Sequence, residues 1–114
     1  MADCVFCKII SGEIKADFLY KDDLVACFKD IKPAAPVHFL VAPVRHIPTP
    51  AEITDQDREI ISRMFEAAGK VAERLGAAQS GYRMVVNIGP DAGQEVPHIH
   101  IHILGGRKFG WPPG

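Results

Sequence analysis

Three of the five histidines in this chain stand at alternate positions of one segment: His98, His100 and His102 in "HIHIHIL". An unperturbed imidazole has a pKa of about 6.5, so near pH 7 most of it is neutral and carries a lone pair able to attack an electrophile. In extended backbone, successive side chains point to opposite faces. The three histidines then share one face, and Ile99, Ile101 and Ile103 share the other. Two-residue steps of roughly 6.5 to 7 Å put the outer pair on the order of 13 Å apart. A single zinc, with bonds of about 2 Å, cannot gather all three. The row is therefore expected to divide its labour at a surface where something binds.

Three other groups of residues can do chemistry. In "DAGQEVPH" Gly93 allows close backbone approach, and successive N–H groups of such a turn can form an anion-binding nest, although a plain turn would look the same. Asp30, in "KDIKP", either binds a ligand or closes a turn before Pro33. The pair Cys4 and Cys7, in "CVFC", reads as a redox pair, half of a zinc site or two reduced core thiols. A thioredoxin-like arrangement would want a strand before it, and Cys4 lies too near the start. Cys27, inside an apolar strand, reads as a small buried hydrophobe.

The elements that must hold these residues follow from pattern. "CVFCKIISGE" reads as a short helix stopped at Gly12, and "DFLYKDD" with "LVACFKDI" as a hairpin. "VHFLVAP" reads as a third strand, stopped by proline on both sides. Thr54 with Asp57 three residues on is a capping-box signal. Behind it Ile61, Met64, Phe65, Ala68, Val71, Ala72 and Leu75 form one apolar stripe, predicting a core-facing helix of about six turns ended by Gly76. "YRMVVNI" and "HIHIHIL" read as two further strands joined by "GPDAGQEVP". The expected fold is α+β with a largely antiparallel sheet.

Length and charge bound the rest. With 114 residues, one domain spanning residues 1–114 is expected. Lys plus Arg number 13 against 14 for Asp plus Glu, with no basic cluster, which argues against long nucleic acids as partners. No apolar run approaches membrane-spanning length and the start lacks a signal-peptide layout, so a soluble cytoplasmic protein with no membrane partner is expected. An odd count of 3 cysteines argues against a closed disulfide framework.

The segments "KDIKPAAPVHFLVAP", "GYRMVVNIGPDAGQEVPH", "HIHIHIL" and "LGGRKFGWPPG" resemble, in order and over nearly the whole chain, the histidine triad (HIT) superfamily in its nucleotide-binding, phosphoramidase-type branch. The resemblance implies a five-stranded antiparallel sheet with one long and one short helix, and a homodimer whose sheets join into one of ten strands. It implies binding of purine nucleoside monophosphates and hydrolysis of their phosphoramidates: adenosine 5'-monophosphoramidate, AMP-lysine or aminoacyl-adenylate-like compounds. His100 would be the nucleophile forming a covalent nucleotidyl-histidine, and His102 a donor to a phosphoryl oxygen. His38 and the backbone near it would orient the other ring nitrogen of His100. Phe28 and Ile31 would line the base, Asp30 would accept from the ribose, and Asn87, Gly93, Gln94 and Glu95 would hold sugar and phosphate. "GQEV" resembles bacterial-type members, whereas many animal members carry serine at the position of Glu95; the backbone N–H serves in either case. Members with the N-terminal cysteine pair imply a structural Cys2His2 zinc site, here Cys4, Cys7, His46 and His98. No catalytic divalent cation is implied. Two other classes remain: a non-catalytic nucleotide-sensing or protein-interaction module on the same fold, and a small metal-binding protein.

Overall fold

The computed structural model describes residues 4–114. Helix α1 (Val5–Ser11) is short because its ends are fixed: the Cys4 sulfur accepts from the Cys7 N–H, and Gly12, at φ 89°, returns its N–H to the Ile9 carbonyl. Strands β1 (Phe18–Lys21) and β2 (Val25–Lys29) form the expected hairpin. Its turn is held by Asp22, whose carboxylate accepts from the N–H groups of Leu24 and Val25. Strand β3 (Val37–Pro43) ends at its proline.

The capping box is present, with Thr54 and Asp57 exchanging side-chain and backbone bonds, but it opens a 3-10 turn, Asp55–Asp57, that leads into helix α2 (Arg58–Arg74). The helix has 17 residues, under five turns rather than the six expected. Its buried face is Ile60, Met64, Ala67, Ala68, Val71 and Ala72. Three members of the predicted stripe fall outside that face: Phe65 is 57% exposed, Leu75 is also exposed, and Ile61 is half-buried at its edge. The stripe is centred on alanines, which let the helix approach the sheet closely, and Phe65 sits on the flank.

Strand β4 (Tyr82–Val85) and strand β5 (Ile101–Gly105) complete one antiparallel sheet in the order β1-β2-β3-β5-β4. Residue alternation gives the sheet two apolar faces. Val25, Cys27, Phe39, Val41, Ile101 and Ile103 pack under α2; Ala26, Phe28, Leu40 and Ala42 pack against Phe6 and Ile10 of α1. Because α1 is short it covers only part of its face, and the remainder is open to ligands. No helix among the described residues is long and apolar enough to cross a membrane.

The strand predicted from His98 begins later, at Ile101. His98 donates its N–H to the Val96 carbonyl and Ile99 donates to the Ile47 carbonyl, so both backbones are engaged outside the ladder. Only His102 of the row is a strand residue.

Candidate active site

A cleft of about 540 Å³ opens on the sheet face that α1 leaves bare. Every nucleotide-site residue expected from the sequence lines it: Phe28, Asp30, Ile31, His38, Asn87, Gly93, Gln94, Glu95, His100 and His102. Phe28 is buried at the wall, whereas Ile31 stands 92% exposed at the rim.

His100 is 7% exposed, and its Nδ1 lies 2.8 Å from the His98 carbonyl oxygen. A carbonyl only accepts, so Nδ1 carries the hydrogen and Nε2 keeps the lone pair. Burial pushes its pKa below the usual histidine value, against the opposing pull of the His98 carbonyl, so the ring is neutral at pH 7. This corrects the expectation that His38 and its backbone orient His100. The acceptor comes from the peptide two residues back in the same segment, which holds the ring more rigidly than a second strand would.

His38 orients His102 instead. The Ala34 N–H donates to His38 Nδ1 at 2.9 Å, which leaves the proton of neutral His38 on Nε2. Nε2 lies 2.9 Å from His102 Nδ1, so His38 donates and His102 keeps its own proton on Nε2. The relay runs from a backbone amide through two imidazoles to a donor. The register makes it possible: His38 pairs with Leu104 and Leu40 with His102, so the two rings meet on the diagonal of one face. Burial, followed by His100 and His38, lowers the pKa of His102.

Asp30 closes the turn read from the sequence and also faces the histidine pair. One carboxylate oxygen accepts from the Lys32 N–H, closing the turn, and the other lies 3.3 Å from His38 Nε2 and 3.8 Å from His102 Nδ1. Asp30, His38 and His102 are close enough to suggest a metal site. The amide bonded to His38 Nδ1 argues against one, because ligation through Nε2 would then require an imidazolate.

The loop after Asn87 is organised by Gln94. Its side chain accepts from the Gly89 N–H and donates to the carbonyls of Pro48 and Val96, and its own N–H donates to the Gly89 carbonyl. Gln94 therefore shapes the loop with groups that the resemblance would assign to phosphate. The N–H groups of Glu95 and Val96 take no partner among the described residues, in the loop that Gly93 bends at φ 80°.

Sequence reading missed the α1 wall. Val5, Phe6 and Ile9 line the cleft, and the Phe6 ring meets the His100 ring edge-on, with centroids 4.7 Å apart. The signal was present in "VFCKII": Phe6 with Ile10 is one apolar i,i+4 pair and Val5 with Ile9 a second, too wide a stripe for a helix with a single neighbour.

His98, fully buried, points away from the cleft. Its Nε2 donates to the Pro43 carbonyl at 2.8 Å, so its Nδ1 is unprotonated. Around that atom lie Cys4 Sγ at 3.3 Å, Cys7 Sγ at 3.6 Å and His46 Nδ1 at 3.2 Å; Cys7 Sγ and His46 Nδ1 are 3.4 Å apart. A tetrahedral ion with arms of about 2.0 to 2.3 Å has ligand–ligand edges of roughly 3.3 to 3.8 Å, and the group matches that spacing. The donor chemistry agrees. Burial and the adjoining Cys4 push the Cys7 thiol up to about 11, so a bound cation is needed to hold it as thiolate at neutral pH. The residues fit zinc, and the Pro43 carbonyl behind His98 is the outer partner that fixes a ligating imidazole.

The cleft thus brings together a neutral, buried imidazole, an imidazole pair ordered by a backbone amide, and the loop that Gln94 shapes. Residues 11–109 match the HIT domain family model. The chain is 45% identical over 108 residues to the purine nucleoside phosphoramidase of Escherichia coli (strain K12), covering 95% of this chain and 91% of that one. Among solved structures, a HIT family hydrolase from Legionella pneumophila Philadelphia 1 superposes with a TM-score of 0.95 at 45% identity, covering 98% of this chain and 100% of that chain. A HIT family hydrolase from Clostridium thermocellum gives 0.93 at 47%, covering 96% of each. This chain belongs to the HIT domain family, and these relatives are hydrolases.

Proposed function

We propose that this protein hydrolyses purine nucleoside phosphoramidates through a covalent nucleotidyl-His100 intermediate. The observation that carries the reading is the bond from His100 Nδ1 to the His98 carbonyl, which presents a neutral Nε2 lone pair at the cleft. Nε2 attacks phosphorus, the P–N bond breaks, and the amine departs with a proton. Water then attacks the phosphorus, releasing nucleoside monophosphate and the free imidazole. His102 Nε2–H, held in place by His38, donates to the phosphoryl oxygen on which charge builds, together with the Glu95 and Val96 N–H groups. Phe28, Phe6 and Ile9 supply an apolar wall for the purine, with Asn87 and Asp30 at the sugar. The name of the Escherichia coli relative favours this substrate class. Zinc, where bound by Cys4, Cys7, His46 and His98, is structural: it ties α1 to the segment before β5. The proposed setting is cytoplasmic, where thiols are the resting form and disulfides are transient.

The test is intact mass of protein quenched during turnover of adenosine 5'-monophosphoramidate. An adenylyl adduct that maps to His100 and is absent from His100→Gly is expected. Tight nucleotide binding with no turnover would establish the sensing module instead.

A further inference from the structure

The cysteine pair touches the nucleophile through two routes. Cys4 Sγ lies 3.3 Å from His98 Nδ1, and the carbonyl of the same His98 residue accepts from His100. Between the two cysteines in sequence stand Val5 and Phe6, which line the cleft, and the Phe6 ring abuts both His100, at 4.7 Å, and His98, at 5.9 Å. Cys4 is buried and Cys7 half-buried, so a small reagent reaches Cys7 first.

We propose that Cys4 and Cys7 are a reversible modification site for a low-molecular-weight disulfide, and that closing their disulfide disables His100. The inference rests on the hydrolase reading only for its activity arm. Cys7 sulfur attacks the reagent, breaking its S–S bond and expelling one thiolate. Cys4 sulfur then attacks the mixed disulfide at Cys7 and expels the second. Two electrons pass from the cysteine pair to the reagent, whose two thiolates take up the protons of the cysteine thiols, or protons from water when the sulfurs held a metal ion, which is then released. Cys4 is the extended N-cap of α1 and Cys7 lies in its first turn, with the Cys7 N–H on the Cys4 sulfur. A disulfide fixes the two Cβ atoms at about 3.5 to 4.5 Å, so closure turns the sulfurs onto each other and away from His98 Nδ1, and resets the N-terminal turn that carries Val5 and Phe6.

The experiment treats the full chain, as purified with its metal, with oxidised glutathione. Peptide mapping is expected to join Cys4 to Cys7 and leave Cys27 free, with metal appearing in a chromogenic chelator. Imidazole nitrogen NMR is expected to show the His100 resonances moving, and AMP titration to show weaker binding. The kcat for adenosine 5'-monophosphoramidate should fall roughly 10- to 100-fold, as when an outer orienting partner is lost. Dithiothreitol with zinc should restore all five readouts. Cys27→Ala should respond as wild type does, and Cys7→Ser should keep its AMP affinity and His100 resonances unchanged by the oxidant. A disulfide that forms while His100 resonances and AMP affinity stay put overturns the proposal. So does a folded protein whose Cys4 and Cys7 remain thiols under conditions that cross-link the unfolded chain. Failure of turnover alone, with the mass and NMR changes intact, would count against the hydrolase reading and not against the switch.

Discussion

At the scale of single residues, chemistry here is decided by which nitrogen carries a proton, and backbone groups fix three of these tautomers directly and that of His102 through His38. The His98 carbonyl fixes His100, the Pro43 carbonyl fixes His98 and the Ala34 amide fixes His38. His38→Ala keeps the nucleophile but frees the His102 ring. A loss of roughly 10- to 100-fold in kcat with little change in KM is expected from steady-state kinetics, because the relay acts on charge that develops in the transition state. The depressed pKa of His100 sets the acid limb of the rate profile. Burial lowers it, so kcat/KM should begin to fall at a lower pH than an unperturbed imidazole, with its pKa of about 6.5, would impose. The same sign governs stability. His100 and His102 have folded pKa values below their unfolded ones, so the unfolded chain binds protons first as pH drops. Stability present above about pH 6.5 is lost below it, at up to about 1.4 kcal/mol per pH unit for each histidine, readable as a falling urea midpoint between pH 7 and 5.

At the scale of elements, the loop between β4 and β5 separates two views of Gln94. If its amide contacts phosphate, Gln94→Ala lowers kcat. With two side-chain bonds inside the loop and a third to the Pro48 carbonyl beyond it, the variant should raise KM with a smaller effect on kcat, and cost about 1 to 3 kcal/mol for the half-buried partners left unpaired. Gln94 also marks the limit of what could be read without coordinates. The sheet, the hairpin, the capping box and both helices were legible because each rests on local pattern or turn chemistry. The cleft residues were legible by resemblance, and all of them converge. Three features were not legible, because each depends on how distant segments meet. Alternation around His98 looks the same whether or not a ladder forms, and the partners of its ring, Pro43 and Cys4, come from elsewhere in the chain. Phe65 was placed in the core because its helical spacing fits, yet alanines on the neighbouring face bring the sheet closer and leave it outside. The exchange of partners between His38 and His100 needed the β3–β5 register, which no spacing within either strand reveals.

At the scale of the whole molecule, β4 is a sheet edge whose outer N–H and C=O groups are unpaired in one chain. Tyr82 of β4 packs beside Gly69 of α2, and Phe65, one turn earlier on the same helical face, is thereby placed along that edge. The C-terminal arm is anchored rather than loose. Arg83 donates to the Gly110 carbonyl, Arg107 donates to the Ala34 carbonyl, and the guanidinium groups lie 5.2 and 4.3 Å from the Phe109 ring centroid. That anchored arm holds Trp111 at 83% exposure. An open strand edge, a flanking phenylalanine and a rigidly presented tryptophan are what a second copy would cover, so a homodimer joined through β4 is the assembly proposed for this chain. Sedimentation equilibrium at micromolar concentration should give twice the chain mass. Phe65→Arg puts two like charges and their solvation cost into that contact, and should yield folded monomers with unchanged circular dichroism. Removing residues 111–114 should leave the dimer intact, since the strand edge and helix remain, while altering the ranking of phosphoramidates that differ only in their amine. A wild-type chain that sediments as a monomer would overturn this assembly and leave β4 and Trp111 as solvent-facing features.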